Sequence, residues 1–244
     1  MIEEMEDNEN SFVALWSDRV RLDCATLYAN SVMADDSFFN RVTDVNCKEF
    51  CTMLDSSESE FAKRKVKPFV QCLSNESLKT ELQKHGYLLY DIMSVLLYES
   101  RYKLKYSADI SIEKVSRGKM DEWTDAYCSS FDSENWRDEI MRRVSNSLDK
   151  LQLYIAYVKD LPAGCVALFE KNSLLGLYCL GTLAKYREKG VASALISISA
   201  DIARQNELKL FLQSFKKDGL INYYVKRGFT QIYTKEIYTK AQVS

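Results

Sequence analysis

Hydrophobic positions along the chain switch between a period of two and a period near 3.6, and each switch marks an element. Residues 174–202 are the clearest case. An apolar run over 174–183 has the length of one buried strand, and a short charged segment follows over 184–189. Val191, Leu195, Ile198 and Ile202 then recur at helical spacing. The expected order is strand, tight loop, helix.

The second half parses readily around that stretch. Ile110 and Ile112 alternate with polar residues as a strand, and 116–131 reads as a helix with Met120, Trp123 and Tyr127 on its inner face. Trp136, Ile140, Val144 and Leu148 give a second helix with a charged outer face. Strands follow over 151–157 and 163–169, separated by the Lys159-Asp160-Leu161-Pro162 turn. After the helix ending near Ile202 come a strand through Leu208, Leu210 and Leu212, a short helix over 220–226 closed by Gly228-Phe229, and a last strand over 232–238. The predicted order is β-α-α-β-β-β-α-β-α-β, an α/β (α+β) layout whose mixed central sheet carries an antiparallel meander and a crossover helix.

The first half carries weaker periods. Phe12, Leu15, Trp16, Val20, Leu27 and Tyr28 predict one or two opening helices. A strand is expected over 38–45, a helix capped by Asn46 over 46–54, a loop over 56–60, and a strand over 68–73. Ser74 is expected to cap a helix that ends at His85-Gly86, with a strand over 87–98 after it. This order, strand, helix, strand, helix, strand, repeats the one found from residue 174 onward. The basic stretch 99–106 is expected to join two packed halves: an N-terminal α/β domain over 1–105 and a second domain over 106–244.

Composition narrows the chemistry. Among 244 residues 46% are apolar, and the net charge is −2, so a real core is expected and an overall basic field for nucleic acid is not. The acidic start is no signal peptide, and no run approaches a membrane span. Seven scattered cysteines read as buried free thiols of a cytoplasmic protein. With His85 as the single histidine, and Cys47 and Cys51 lacking a second pair, no metal site is expected; His85 reads as a helix cap.

The loop after the organising strand favours anions. Gly190 lets the backbone turn just as a helix opens, the first-turn amides are unpaired, and Arg187 and Lys189 add mobile positive charge. Gly176 and Gly181 imitate the start of a P-loop, but Thr182-Leu183 stands where Lys-Ser/Thr must follow, and no G-x-G-x-x-G occurs.

Residues 109–240 instead resemble the GNAT superfamily of acyl-CoA-dependent N-acyltransferases. Arg187-Glu188-Lys189-Gly190-Val191-Ala192 is similar to the family's Arg/Gln-x-x-Gly-x-Gly/Ala signature, Leu183 occupies the apolar end of its splayed strand, and Tyr223-Tyr224-Val225-Lys226-Arg227-Gly228-Phe229 is similar to its Tyr-x-x-x-Gly-Phe segment. The resemblance implies acetyl-CoA as cosubstrate and direct attack of an amine on the thioester. It also implies that the backbone of Gly181, Thr182 and Leu183 pairs with the pantetheine arm. The amides of Glu188, Lys189, Gly190, Val191, Ala192 and Ser193 would hold the pyrophosphate, and Tyr224 would protonate the departing thiolate. Lys217 stands where many relatives have Asn. No Asp, Glu or His lies between Ser173 and Arg187, and Glu170, Asp132 and Glu134 are the nearest carboxylates, so no general base is assigned. By the same analogy helix 133–149 lines the acceptor side, and its mixed charge suits a small-molecule amine or a protein amino group. The missing carboxylate keeps open a non-catalytic acyl-CoA-binding or interaction module. The first half reads as a degenerate second copy without the pyrophosphate loop, or as an unrelated extension.

Overall fold

The computed structural model describes residues 1–100 and 104–240; residues 101–103 of the basic stretch expected to join the halves lie outside them. Helix α1 (Ile2–Trp16) opens the chain. Strands β1 (Asp18–Arg21), β2 (Thr26–Ala29) and β3 (Arg41–Thr43) lead to α2 (Phe50–Arg64), β4 (Phe69–Cys72), α3 (Glu76–Lys84) and β5 (Tyr87–Tyr98). After β6 (Ile110–Lys114), α4 (Met120–Phe131) and α5 (Arg137–Asn146) the same order returns. It runs through β7 (Leu151–Val158), β8 (Leu161–Lys171), β9 (Leu174–Thr182), α6 (Val191–Gln205), β10 (Lys209–Phe215), α7 (Ile221–Val225) and β11 (Phe229–Lys240). A β-β-β-α-β-α-β order thus occurs twice.

Two compact units are each discontinuous in sequence: Met1–Phe12, Val95–Gln213 and Asn222–Ile232 form one, and Val13–Ser94, Ser214–Ile221 and the segment from Tyr233 form the other. In the unit built around the early strands, β1-β2-β3 is an antiparallel meander, β3 pairs parallel with β4, and β4 pairs antiparallel with β11 through Glu236–Thr239. Its core holds Leu27, Val42, Leu54, Phe61, Val70, Leu82 and Tyr87.

Several expectations for this region are corrected. The opening helix ends at Trp16, and the residues read as its continuation are β1 and β2. All four residues of β2 are buried, so it shows no polar alternation and its short apolar run imitates a helix face. Residues 56–60, read as a loop, lie inside α2: Ser57 and Phe61 continue its buried face from Met53 and Leu54, and the Ser57 hydroxyl donates to the Leu54 carbonyl at 2.8 Å. The helix starts after Glu49 rather than Asn46, whose amide donates to the Cys24 carbonyl at 2.8 Å. Asn75, not Ser74, caps α3, accepting from the Leu78 amide at 2.9 Å. Cys24 and Cys47 form a disulfide, so the reading of seven free thiols fails for these two. His85 is the C-cap of α3, as expected, and Gly86 follows with φ 77°.

In the other unit β6-β7-β8-β9 is antiparallel and β10 joins β9 in parallel, with α6 as the crossover. Helices cover both faces, which is why Ala163–Phe169 of β8 are buried without alternation. The Trp123 indole N–H of α4 donates to the Val166 carbonyl at 3.1 Å and docks that helix on β8. Among the described residues no helix is long and apolar enough to cross a membrane.

Candidate active site

Strand β9 is bent by one irregularity. Cys165 stands opposite Gly181, and Ala167 opposite Tyr178, so Cys179 and Leu180 together face Val166 alone. This is a β-bulge, and Cys179 takes φ 54° to make it. Just before the bulge the ring of Tyr178 stacks on Phe12 of α1, centroids 3.8 Å apart, and its hydroxyl donates to Asn8 Oδ1 at 2.8 Å. A Cβ on Gly176 would lie 2.3 Å from that ring and 2.7 Å from Asn8 Oδ1, and one on Gly181 would lie 2.6 Å from the Ser130 Cβ. The two glycines that imitate a P-loop are therefore sites of close packing.

The bulge separates β9 from its parallel neighbour. Register with β10 runs from Leu174–Lys209 to Leu177–Leu212 and stops there, while β9 continues to Thr182. A strand edge past its last partner presents N–H and C=O groups that an extended ligand can pair with. Nearby polar atoms are left over as well. Ser130 Oγ, against Gly181, and Gln213 Nε2, one residue past the last β10 pair, are buried and have no partner among the described residues.

Beyond Thr182 the chain turns sharply. The Leu183 amide donates to the Ala163 carbonyl at 3.0 Å, and its carbonyl accepts from the Tyr186 amide at 2.8 Å, closing a 3-10 turn over Ala184–Tyr186. Tyr186 is buried, with the ammonium groups of Lys185 and Lys189 at 4.8 and 5.6 Å from its ring centroid. Arg187 and Glu188 are exposed; the Arg187 Nε donates to the Thr182 carbonyl at 3.4 Å, and Glu188 has φ 63°. Gly190 caps α6 with φ 91°, a conformation that costs a side-chain-bearing residue, and its carbonyl accepts from Ala194 at 2.9 Å. The amides of Val191, Ala192 and Ser193 form the first turn, where a helix has no acceptors of its own. The loop thus has the geometry of an anion cradle.

Tyr224 sits on α7, buried, with its ring 5.8 Å from Phe229 and 5.4 Å from Tyr223. Arg227 escaped the sequence reading. Its guanidinium lies 3.3 Å from the Tyr223 ring centroid, and its Nε donates to the Ser193 hydroxyl in the first turn of α6 at 2.9 Å. That contact brings a fixed cation to the cradle. Its sequence signal was slight: a basic residue just before Gly228-Phe229. Ser130 and Gln213 were missed too, because an unpartnered buried atom leaves no mark in a sequence.

The carboxylates divide clearly. Glu170, Asp132 and Glu134 are exposed. Along α4 and α5, Arg137 pairs with Asp121 and Asp125 at 2.9 and 2.7 Å. Glu139 pairs with Arg142 and Arg143; burial pushes its carboxyl up, but the two guanidinium groups outweigh this and hold it below the usual range. Burial raises the Cys165 thiol. Lys217 donates to the Tyr90 hydroxyl at 3.0 Å and lies over that ring.

Comparisons with known proteins agree with this geometry. Residues 119–229 match the acetyltransferase (GNAT) family. Among solved structures, the chain is similar to a GCN5-related N-acetyltransferase from Kribbella flavida, with 13% identity, 97% of this chain and 94% of the other covered, and a TM-score of 0.73. A GCN5-related N-acetyltransferase from Sphaerobacter thermophilus gives 13% identity, 95% and 84% coverage, and a TM-score of 0.70. A tandem GNAT protein from the clavulanic acid biosynthesis pathway gives 8% identity, 96% and 94% coverage, and a TM-score of 0.62. No curated protein matches in sequence. Residues 119–229, which hold the bulged strand and the cationic loop with left-handed Gly190, are thus the part of the chain that matches the GNAT acetyltransferase family, and the chain carries the GNAT fold.

Proposed function

We propose that the chain is an N-acetyltransferase that moves an acetyl group from acetyl-CoA to an amine by direct attack on the thioester. The observation that carries this reading is the parting of β9 from β10 after Leu177, followed by the Gly190 cradle. An acyl-CoA needs an extended edge for its pantetheine arm and an anion site for its pyrophosphate, in that order along the chain. The leftover groups at Ser130 and Gln213 also fit a polar ligand at the mouth of the gap.

Gly181 and Thr182 would pair with the pantetheine amides, and Leu183 turns the chain toward the phosphates. The amides of residues 188–193 would hold the pyrophosphate, with Arg187 and Lys189 adding charge and Arg227 fixing Ser193. A backbone N–H near Gly181 would stabilise the oxyanion that forms as the amine adds to the carbonyl. Tyr224 would donate its phenolic proton to the departing thiolate. The acceptor would be a small-molecule amine or a protein amino group, reaching the thioester past α4 and α5. The active half would be residues 106–244, with Met1–Phe12 packed on it, and β1 to β5 would be a second copy without a pyrophosphate loop.

Tyr224→Phe tests the assignment. Steady-state turnover of acetyl-CoA with a panel of amines should fall by about 10²–10⁴-fold if the phenol is the acid. An unchanged rate removes it from that role. The absence of Asp, Glu and His between Ser173 and Arg187 supports a second reading, an acyl-CoA-binding module without turnover. Calorimetry showing tight CoA binding with no product from any amine would favour that reading, and no CoA binding at all would sink both.

A further inference from the structure

The chain's single histidine takes part in a cluster that the acyltransferase reading does not use. Cys51 lies in the first turn of α2, and Glu81 and His85 lie at the end of α3. Cys51 Sγ is 3.3 Å from His85 Nε2, and one ligand atom from each of Cys51, Glu81 and His85 lies within 4.8 Å of the others. The geometry points to a binding site for a zinc-class divalent cation formed by the Cys51 thiolate, the His85 imidazole and the Glu81 carboxylate, with water in the remaining position.

Three observations support it. First, the spacing fits. Bonds of about 2.3 Å to sulfur and about 2.0 Å to nitrogen, meeting at a tetrahedral angle, hold S and N about 3.5 Å apart. The observed 3.3 Å needs only a small outward adjustment of either side chain to admit an ion.

Second, the imidazole is oriented for ligation. The Glu81 carbonyl lies 2.9 Å from His85 Nδ1 and can only accept, so Nδ1 carries the proton and Nε2 turns its lone pair toward Cys51. A metal-bound histidine is held in this way by an outer acceptor. The Glu81 carboxylate now faces the other ring nitrogen, with Oε1 3.4 Å from Nδ1 and Oε2 taken by Lys84 at 3.1 Å, so its side chain must swing over to reach an ion on Nε2.

Third, the thiol is accessible. Of the free cysteines, Cys72, Cys128 and Cys165 are buried and Cys179 is half-buried, whereas Cys51 is exposed. Sulfur, nitrogen and oxygen in one open set suit zinc better than magnesium or calcium, which take oxygen ligands. The ion would tie the start of α2 to the end of α3.

The test uses the full chain, stripped with chelator and handled under nitrogen without reductant, so that Cys24 and Cys47 stay paired and Cys51 stays a thiol. Calorimetry with zinc chloride should show one bound ion, and cobalt(II) should give a thiolate-to-cobalt absorption. Cys51→Ser and His85→Gln should each weaken binding at least about a hundredfold and remove the absorption, and Glu81→Gln should weaken it about tenfold, outer-shell losses alone reaching that range. Zinc should raise the melting temperature of the parent chain and not of Cys51→Ser. Absence of binding, or binding that survives Cys51→Ser and His85→Gln in folded variants, overturns the site. CoA affinity does not enter this outcome, so it stands apart from the proposed acetyl transfer.

Discussion

The connection from β9 to α6 and the connection from β3 to α2 occupy the same place in two runs of the same β-β-β-α-β-α-β order, and they are built differently. After β9, the chain is cationic at Arg187 and Lys189, left-handed at Gly190, and opens a helix whose third residue accepts from Arg227. After β3, Cys47 is tied to Cys24 in the β1–β2 turn, and α2 opens from Glu49, an acid in extended conformation. An acid at that position repels a phosphate, where the glycine in the other copy welcomes one. The following helices correspond as well. Arg227-Gly228-Phe229 ends α7 and His85-Gly86-Tyr87 ends α3, with glycine φ values of 92° and 77°, and each residue before the glycine touches the first turn of the copy's crossover helix. A single architecture therefore places a side chain opposite a helix start twice: as a guanidinium on a serine in one copy and as an imidazole on a thiol in the other.

If the difference is functional, perturbing each connection should have separate consequences. The largest effect is expected from Cys24→Ser with Cys47→Ser. Opening a link that closes a 23-residue separation should cost about 3 kcal/mol, read as a lower midpoint in chemical denaturation. CoA affinity should stay within about twofold, because the disulfide joins two residues of one unit and the cradle is built entirely by the other. A parallel collapse of CoA binding would break the comparison, because the disulfide-bound connection would then serve the cradle.

Gly190→Val should follow. A β-branched residue at φ 91° stores about 1–3 kcal/mol of strain, which the loop would relieve by abandoning its conformation. CoA affinity should fall by about tenfold to a hundredfold by calorimetry. Glu49→Ala at the matching position should leave it unchanged, since no left-handed cap is required there.

Much of this was legible in the sequence, and the failures have particular causes. The stretch 174–202 was readable because its strand and helix differ in period, and Gly190 because a left-handed cap selects glycine. The bulge was not, since a positive φ at a cysteine has no propensity signal. The first copy was misread where elements are short. A strand of four fully buried residues such as β2 carries no alternation, and the serine-rich turn of α2 hides one buried position, Ser57, behind polar neighbours. The disulfide could not be read from the scattered cysteines, and the Cys51–His85 pair spans 34 residues without a motif.

The smallest effect should come from Arg227→Gln, and it is the most discriminating between the copies. The guanidinium is held by the Tyr223 ring and by the Ser193 hydroxyl, so it is a positioning group and a fixed charge beside the cradle rather than a reacting one. A partly exposed charge of this kind contributes about 0.5–1 kcal/mol to anion binding, about twofold to fivefold in Kd, and less as salt rises. Calorimetry of CoA at low and high ionic strength should show the loss at low salt and near-equality with the parent at high salt, while Arg227→Lys should recover most of the charge effect but not the planar contact with Tyr223. Dephospho-CoA and CoA should lose equally if Arg227 serves the pyrophosphate through Ser193, because the two ligands share that group. A loss confined to CoA would move Arg227 to the ribose phosphate and end the correspondence between Arg227 and His85 as residues that face the start of a helix.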